Sequence, residues 1–217
     1  MKFYSQEQSD QIIYEKYYKD TPLKNGVFLE VGALDGVIYS NTKFFEDTLD
    51  WTGVLIEAVP MAFEKLEQNR PNCKLYNYVV TSKPEKEVNF VTGDLAPEWP
   101  TSGMRDTMSD YHFDTYCQNL KTLKLPTRRL DSIIADSGFD HFDLMVIDVE
   151  GGEYDLLLSF DWKTPVHLLC IEAHPKDKEK NEKVRALLRS HDFRLVGTIG
   201  TLDELWESKG WIDKNEK

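Results

Sequence analysis

Short, almost wholly apolar runs punctuate this chain: Val27–Val31, Gly53–Ile56, Phe142–Ile147 and Val166–Ile171. Each is bounded by glycine or polar residues and is too short for a helix. Strands buried on both faces of a parallel sheet read this way. Between them, apolar residues recur at helical spacing. The pattern predicts helices over Asn41–Leu49, Pro60–Asn69, Arg129–Ser137 and Glu153–Phe160. A further helix starts in the charged stretch Lys176–Lys183 and buries Val184, Leu187 and Leu188. Pro60 suits a first helical turn, and Pro71 stops that helix. Lys74–Val80 reads as a third strand, Glu87–Thr92 as an additional edge strand. Phe193–Ile199 and Leu202–Trp206 read as a closing hairpin, the second half alternatively as a helical turn. Ser9–Lys19, with Ile12, Ile13, Tyr14, Tyr17 and Tyr18 among charges, reads as an amphipathic helix laid on the domain. Alternating strands and helices imply one doubly wound α/β domain over residues 1–217, with 1–24 as an N-terminal helical extension.

Gly93–Thr122 breaks the pattern. It holds Trp99, Met104, Met108, Tyr111, His112, Phe113 and Tyr116 with no sustained period. Long irregular segments in compact domains are often lids or binding loops, so 93–122 is expected to close over an acceptor. Composition narrows the partners. The 217 residues carry 26 Lys+Arg against 38 Asp+Glu, a net charge of −12. That disfavours nucleic acid, whose binding rests on phosphate neutralisation, and anionic lipid. No apolar run approaches the ~20 residues of a membrane span, and no signal-peptide segment opens the chain. Cys73, Cys117 and Cys170 are scattered, which fits reduced thiols and a cytoplasmic location. The chain starts abruptly at helical residues, as a domain of a longer protein would.

The first strand leads into the chemistry. Val31-Gly32-Ala33-Leu34-Asp35-Gly36 is a glycine turn, and Ser40-Asn41 opens the next helix with Ser40 as its cap. Strand, glycine turn and helix form a nucleotide-cofactor loop. The dinucleotide pattern G-x-G-x-x-G is absent. Instead Glu30 precedes Gly32, which disfavours a pyrophosphate and suits a cationic amino group. Glu57, ending the second strand, is placed to grip ribose hydroxyls. In open α/β sheets ligands bind beyond the carboxyl ends of the strands. Glu57, Asp148, Glu150, Glu172 and His174 all stand at such ends.

The runs Phe28–Gly36, Ser40-Asn41-Thr42, Trp51–Glu57 and Ile147–Glu153 resemble the FkbM family of methyltransferases over about Phe3–Trp211. Asp148-Val149-Glu150-Gly151-Gly152-Glu153 is the most specific mark. Met145 departs from the lysine frequent there, which bears on the acceptor side. The resemblance implies a Rossmann-like methyltransferase fold with a seven-stranded, mostly parallel sheet, helices on both faces and a closing antiparallel hairpin. It implies S-adenosyl-L-methionine as donor and O-methylation of a sugar, glycan or similar hydroxylated small molecule. The donor would lie on Glu30, Gly32, Ala33, Asp35 and Gly36, then Ser40 and Asn41, then Glu57, Ala58 and Asp148.

Transfer to a hydroxyl needs a general base or a metal that lowers its pKa. His174 is the first candidate base and Asp148 the alternative, with Glu172 beside them. Alternatively Asp148, Glu150 and Glu172 hold Mg²⁺ or Mn²⁺, since hard cations take carboxylate oxygens. A competing class is a donor-binding, non-catalytic interaction domain with the same fold.

Overall fold

The computed structural model describes residues 1–92, 102–108, 113–114 and 121–211. The chain opens with α1 (Ser9–Ile13), which runs into a π-helical turn (Tyr14–Tyr18). Then come β1 (Val27–Val31), α2 (Lys43–Leu49), β2 (Thr52–Ile56), α3 (Pro60–Asn69) and β3 (Lys74–Tyr76). Next are β4 (Val79–Val80), β5 (Val88–Thr92), β6 (Ser102–Met104), β7 (Lys121–Leu125), β8 (Thr127–Arg128) and α4 (Leu130–Ser137). The chain ends with β9 (Phe142–Ile147), α5 (Glu153–Leu157), β10 (Val166–Glu172), α6 (Lys178–Ser190), β11 (Phe193–Ile199) and β12 (Asp203–Ser208).

The apolar runs become the middle of a seven-stranded sheet in the order β11-β12-β10-β9-β1-β2-β3. All its pairings are parallel except those of β12, which runs antiparallel between β10 and β11. Strand order reverses between β1 and β9, and a crevice opens at such a switch point on the carboxyl edge. Side chains alternate across the sheet. Val27, Leu29 and Val31 join a core with Leu130, Leu156 and Val184 from α4, α5 and α6. Phe28 faces the opposite core, with Ile13, Phe44 and Leu66 from α1, α2 and α3. Phe28 and Leu29 are both fully buried, each contributing about 1.5–3 kcal/mol of burial free energy. Leu29→Ala would cost about 2–5 kcal/mol by leaving a cavity.

Several elements depart from the sequence expectations. The third strand is split. At Asn77 the side-chain amide donates to the carbonyls of Glu57 (2.8 Å) and Ala58 (3.0 Å), which leads the chain away beyond Tyr76. Val79–Val80 then pairs with β8 in a separate two-stranded sheet. The Glu87–Thr92 segment is no edge of the main sheet. As β5 it sits between β6 and β7 in its own antiparallel sheet. Helix α2 begins at Lys43 rather than Asn41, because the Asn41 N–H is drawn to the Glu30 carboxylate at 2.8 Å. Thr42 takes the N-cap position in place of Ser40, and the Ser40 Oγ accepts the Lys43 N–H at 3.1 Å from outside the helix. The closing hairpin forms, as Phe193–Ile199 against Asp203–Ser208. No helix among the described residues is long and apolar enough to cross a membrane.

Candidate active site

At the switch point the chain leaves β1 through Gly32, whose φ is +88°. A Cβ there would lie 1.8 Å from the Asp148 carbonyl oxygen, so only glycine lets the ends of β1 and β9 come this close. Leu34, Tyr39 and Glu150 are also left-handed, at φ 49°, 57° and 56°, although none is glycine. All three line one cavity at the carboxyl edge. Strained backbone gathered in one place is characteristic of functional sites.

Asp35 builds the turn by accepting the N–H groups of Val37 (2.9 Å) and Ile38 (2.8 Å). Glu57 ties the turn to β2. Its buried carboxylate accepts the N–H of Leu34 at 2.9 Å and of Val59 at 2.7 Å. Burial raises its pKa from 4.5 to about 7 against those bonds. Glu57 thus lies in the cavity wall, close to its titration point at neutral pH.

Glu30 has partners within the chain as well as a place in the cavity lining. Its buried carboxylate accepts the Ser40 hydroxyl (3.0 Å), the Asn41 N–H (2.8 Å) and the Thr42 hydroxyl (2.5 Å). Behind it Arg70, fully buried, donates to the Gly36 carbonyl (3.0 Å), Ser40 Oγ (3.3 Å) and Thr42 Oγ1 (3.1 Å), and pairs with Glu46. Burial pushes the Glu30 carboxyl up, while Arg70 and the hydroxyls pull it down. These contacts hold Glu30 as the anchor of the turn. The Asn41 carboxamide Oδ1 is left buried without a hydrogen-bond partner among the described residues, and Asn41 lines the cavity.

The cavity collects most of the residues expected from the sequence. Glu30, Gly32, Ala33, Asp35, Ser40 and Asn41 line it, as do Glu57, Ala58, Asp148 and Glu150. Gly36 does not; it packs on Leu66 and Arg70. Asp148 is open to the cavity, yet it is densely surrounded by protein. Burial, and then the carboxylates of Glu150, Asp203 and Glu153, hold its proton well above the usual carboxylate range.

Glu172 and His174 are not among the described lining. His174 Nδ1 accepts the Lys176 N–H at 3.3 Å, and its carbonyl accepts the Asn181 side-chain amide at 2.9 Å. No cluster of three His, Cys, Asp or Glu suited to a metal occurs among the described residues, so Asp148, Glu150 and Glu172 gain no support as ligands of a divalent cation. The Lys180 ammonium lies 2.7 Å from Glu153 and 3.9 Å from Glu172. Burial lowers the Lys180 pKa, but these carboxylates outweigh it and keep the ammonium charged.

Several lining residues carried no signal in the sequence. Gln6 and Tyr39 form part of the rim, and Tyr78, Val79, Phe90, Thr92 and Ser102 come from the small sheets and their approach. Arg70 read only as the end of a helix before Pro71. Of the 93–122 lid, residues 102–108, 113–114 and 121–122 are described; the remainder lies outside the described residues.

The family model described as "Methyltransferase FkbM domain" matches residues 30–195. Among solved structures, the METTL16 MTase domain is similar at 10% identity and TM-score 0.50, covering 92% of this chain and 65% of its own. A TehB-like SAM-dependent methyltransferase from Corynebacterium glutamicum gives 10% identity and TM-score 0.45, covering 96% of this chain and 89% of its own. The N-terminal domain of human METTL16 in complex with SAH gives 12% identity and TM-score 0.45, covering 92% and 66%. No curated protein matches the chain. The α/β fold, with its seven-stranded, mostly parallel sheet, is the Rossmann-like fold of methyltransferases.

Proposed function

The chain belongs to the FkbM methyltransferase family, and on that premise we propose that it transfers a methyl group from S-adenosylmethionine to a hydroxyl of a sugar, glycan or similarly hydroxylated small molecule. The observation that carries this reading is the pairing of an orphaned acceptor with a buried acid in one cavity. Asn41 Oδ1 has no partner within the described chain, and Glu57 stands across the turn from it. The donor's ammonium group fits the first, with the Glu30 charge behind it, and its ribose hydroxyls fit the second. When bound, S-adenosylmethionine supplies a methyl group already activated on sulfonium sulfur, so the protein's task is to position the acceptor and take its proton.

Asp148 is our choice for that proton. It lines the cavity beside the glycine turn, and burial and the neighbouring carboxylates raise its proton affinity, as a general base requires. His174, set off from the described lining, is the second candidate. The acceptor wall presents neutral hydroxyl and amide groups from Gln6, Tyr39, Tyr78, Thr92 and Ser102, which match a hydroxylated acceptor. Calorimetry with S-adenosylhomocysteine, followed by methyl transfer to a panel of methyl glycosides and other small alcohols, tests the reading. Donor binding with turnover on a glycoside is expected. Donor binding without turnover on any acceptor would favour a non-catalytic interaction domain.

A further inference from the structure

Residues 4–10 precede the family-matched stretch, which begins at residue 30. They cross the carboxyl edge of the sheet as a strap fastened at both ends. At one end Ser5 pairs with Tyr39, in the loop after β1, through a parallel bridge, and the Tyr4 hydroxyl donates to Asp47 at 2.7 Å. At the other end Glu7 accepts the Thr201 N–H at 3.0 Å, and the Ser9 hydroxyl donates to Asp203 at 2.8 Å. Both of those partners belong to the β11–β12 turn region. Fully buried Asp10 ties the strap to itself, accepting the Tyr4 N–H at 2.6 Å and the Ser5 hydroxyl at 2.7 Å. Gly200, at φ +56°, gives the strap room: a Cβ there would lie 1.6 Å from Glu7 Oε2.

Sheet order fixes what lies beneath. A span from the loop after β1 to the β11–β12 turn passes the ends of β9 and β10, the half of the edge that holds Asp148. Glu57, Asn41 and the glycine turn, which suit the donor, belong to the β1–β2 half. The strap's anchors engage the side chains of Tyr4, Ser5, Glu7, Ser9 and Asp10. Gln6, between the two sets of anchors, is exposed and lines the cavity together with Tyr39. Tyr39 is 40% exposed and adopts the strained left-handed conformation beside the strap.

We propose that Gln6 and Tyr39 form the acceptor-recognising subsite of this cavity and that its ligand is a sugar ring. The inference rests on the methyl-transfer reading above and names where its acceptor is read. The Tyr39 ring presents a flat apolar surface to the C–H face of the sugar. The Gln6 carboxamide, donor and acceptor in one group, hydrogen-bonds adjacent hydroxyls. Because the strap is pinned at both ends, the Gln6 backbone is held in place before the acceptor arrives, which lowers the entropy lost on binding.

The test uses the full chain loaded with S-adenosylhomocysteine and methyl glycosides of common hexoses as probes, with binding followed by saturation-transfer NMR. Gln6→Ala and Tyr39→Leu are each expected to weaken glycoside binding about fivefold or more. S-adenosylhomocysteine affinity and the melting temperature should stay unchanged, and Tyr39→Phe should retain the stacking and most of the affinity. Glycoside binding that is equal in wild type and both variants overturns this inference alone. Failure of every glycoside to bind the loaded wild type overturns the glycan reading, and the inference with it. The wild-type control therefore separates the two failures.

Discussion

Glu57 should make donor affinity a function of pH. In the protein without donor, burial lifts its carboxyl from 4.5 to about 7, over the opposition of three backbone N–H groups. The folded state therefore holds a proton that the unfolded chain has already lost between those values. Stability from this group is present below 4.5 and declines as pH rises through 7, by about 3 kcal/mol in all. Ribose hydroxyls donate only to lone pairs, and the ionised carboxylate is the better acceptor, so donor binding should expel the proton. If the bound carboxyl returns to its ordinary value, affinity rises about tenfold between roughly pH 6 and 8. At about pH 6.5 binding should release about three quarters of a proton. Calorimetry with S-adenosylhomocysteine in two buffers of different protonation enthalpy reads both quantities directly. Glu57→Gln removes the titration and sets an amide N–H against the Leu34 or Val59 N–H. Affinity should then fall about tenfold or more and lose its pH dependence. An affinity and a proton count that stay flat across this range in the wild type would refute the reasoning.

Other expectations follow from the same cavity. Arg70→Met leaves Glu46 without its ion-pair partner and removes the positive charge near the buried Glu30, and should cost about 3–5 kcal/mol in urea unfolding; a loss below about 1 kcal/mol would mean that the Arg70 network adds little to stability. Asp148→Asn should lower kcat by about 10²–10⁴ while His174→Ala keeps most turnover, and the reverse pattern would return the base to His174. The wild-type rate should climb with pH above the ordinary carboxylate range, because burial and the Glu150 and Asp203 carboxylates hold the Asp148 proton. EDTA should leave turnover unchanged, since the Lys180 ammonium lies among Glu153, Glu172 and Asp177; a loss restored by Mn²⁺ would bring the metal back.

Much of the architecture was legible along the chain because it depends on local repetition. The apolar runs at β1, β2, β9 and β10 can be satisfied only by a sheet covered on both faces, and Gly32 and Pro60 mark where strands hand over to turns and helices. The acids at strand ends were legible for the same reason, since topology places every parallel strand's carboxyl end on one edge. Which of them share a cavity was not. Glu57 and Asp148 face it, while Glu172 lies outside its lining and near Lys180. The split at Asn77 depends on carbonyls about twenty residues back, at Glu57 and Ala58. Glu30 shows the limit most clearly. Its place before Gly32 marks it for the cavity, which it lines, but the Ser40 and Thr42 hydroxyls that bond it and the Arg70 charge nearby come only with the fold. Periodicity and turn chemistry act over a few residues and can be read from the chain alone. The partner of a buried charge is set by desolvation, which exists only once distant segments have packed together, so that choice belongs to the tertiary structure.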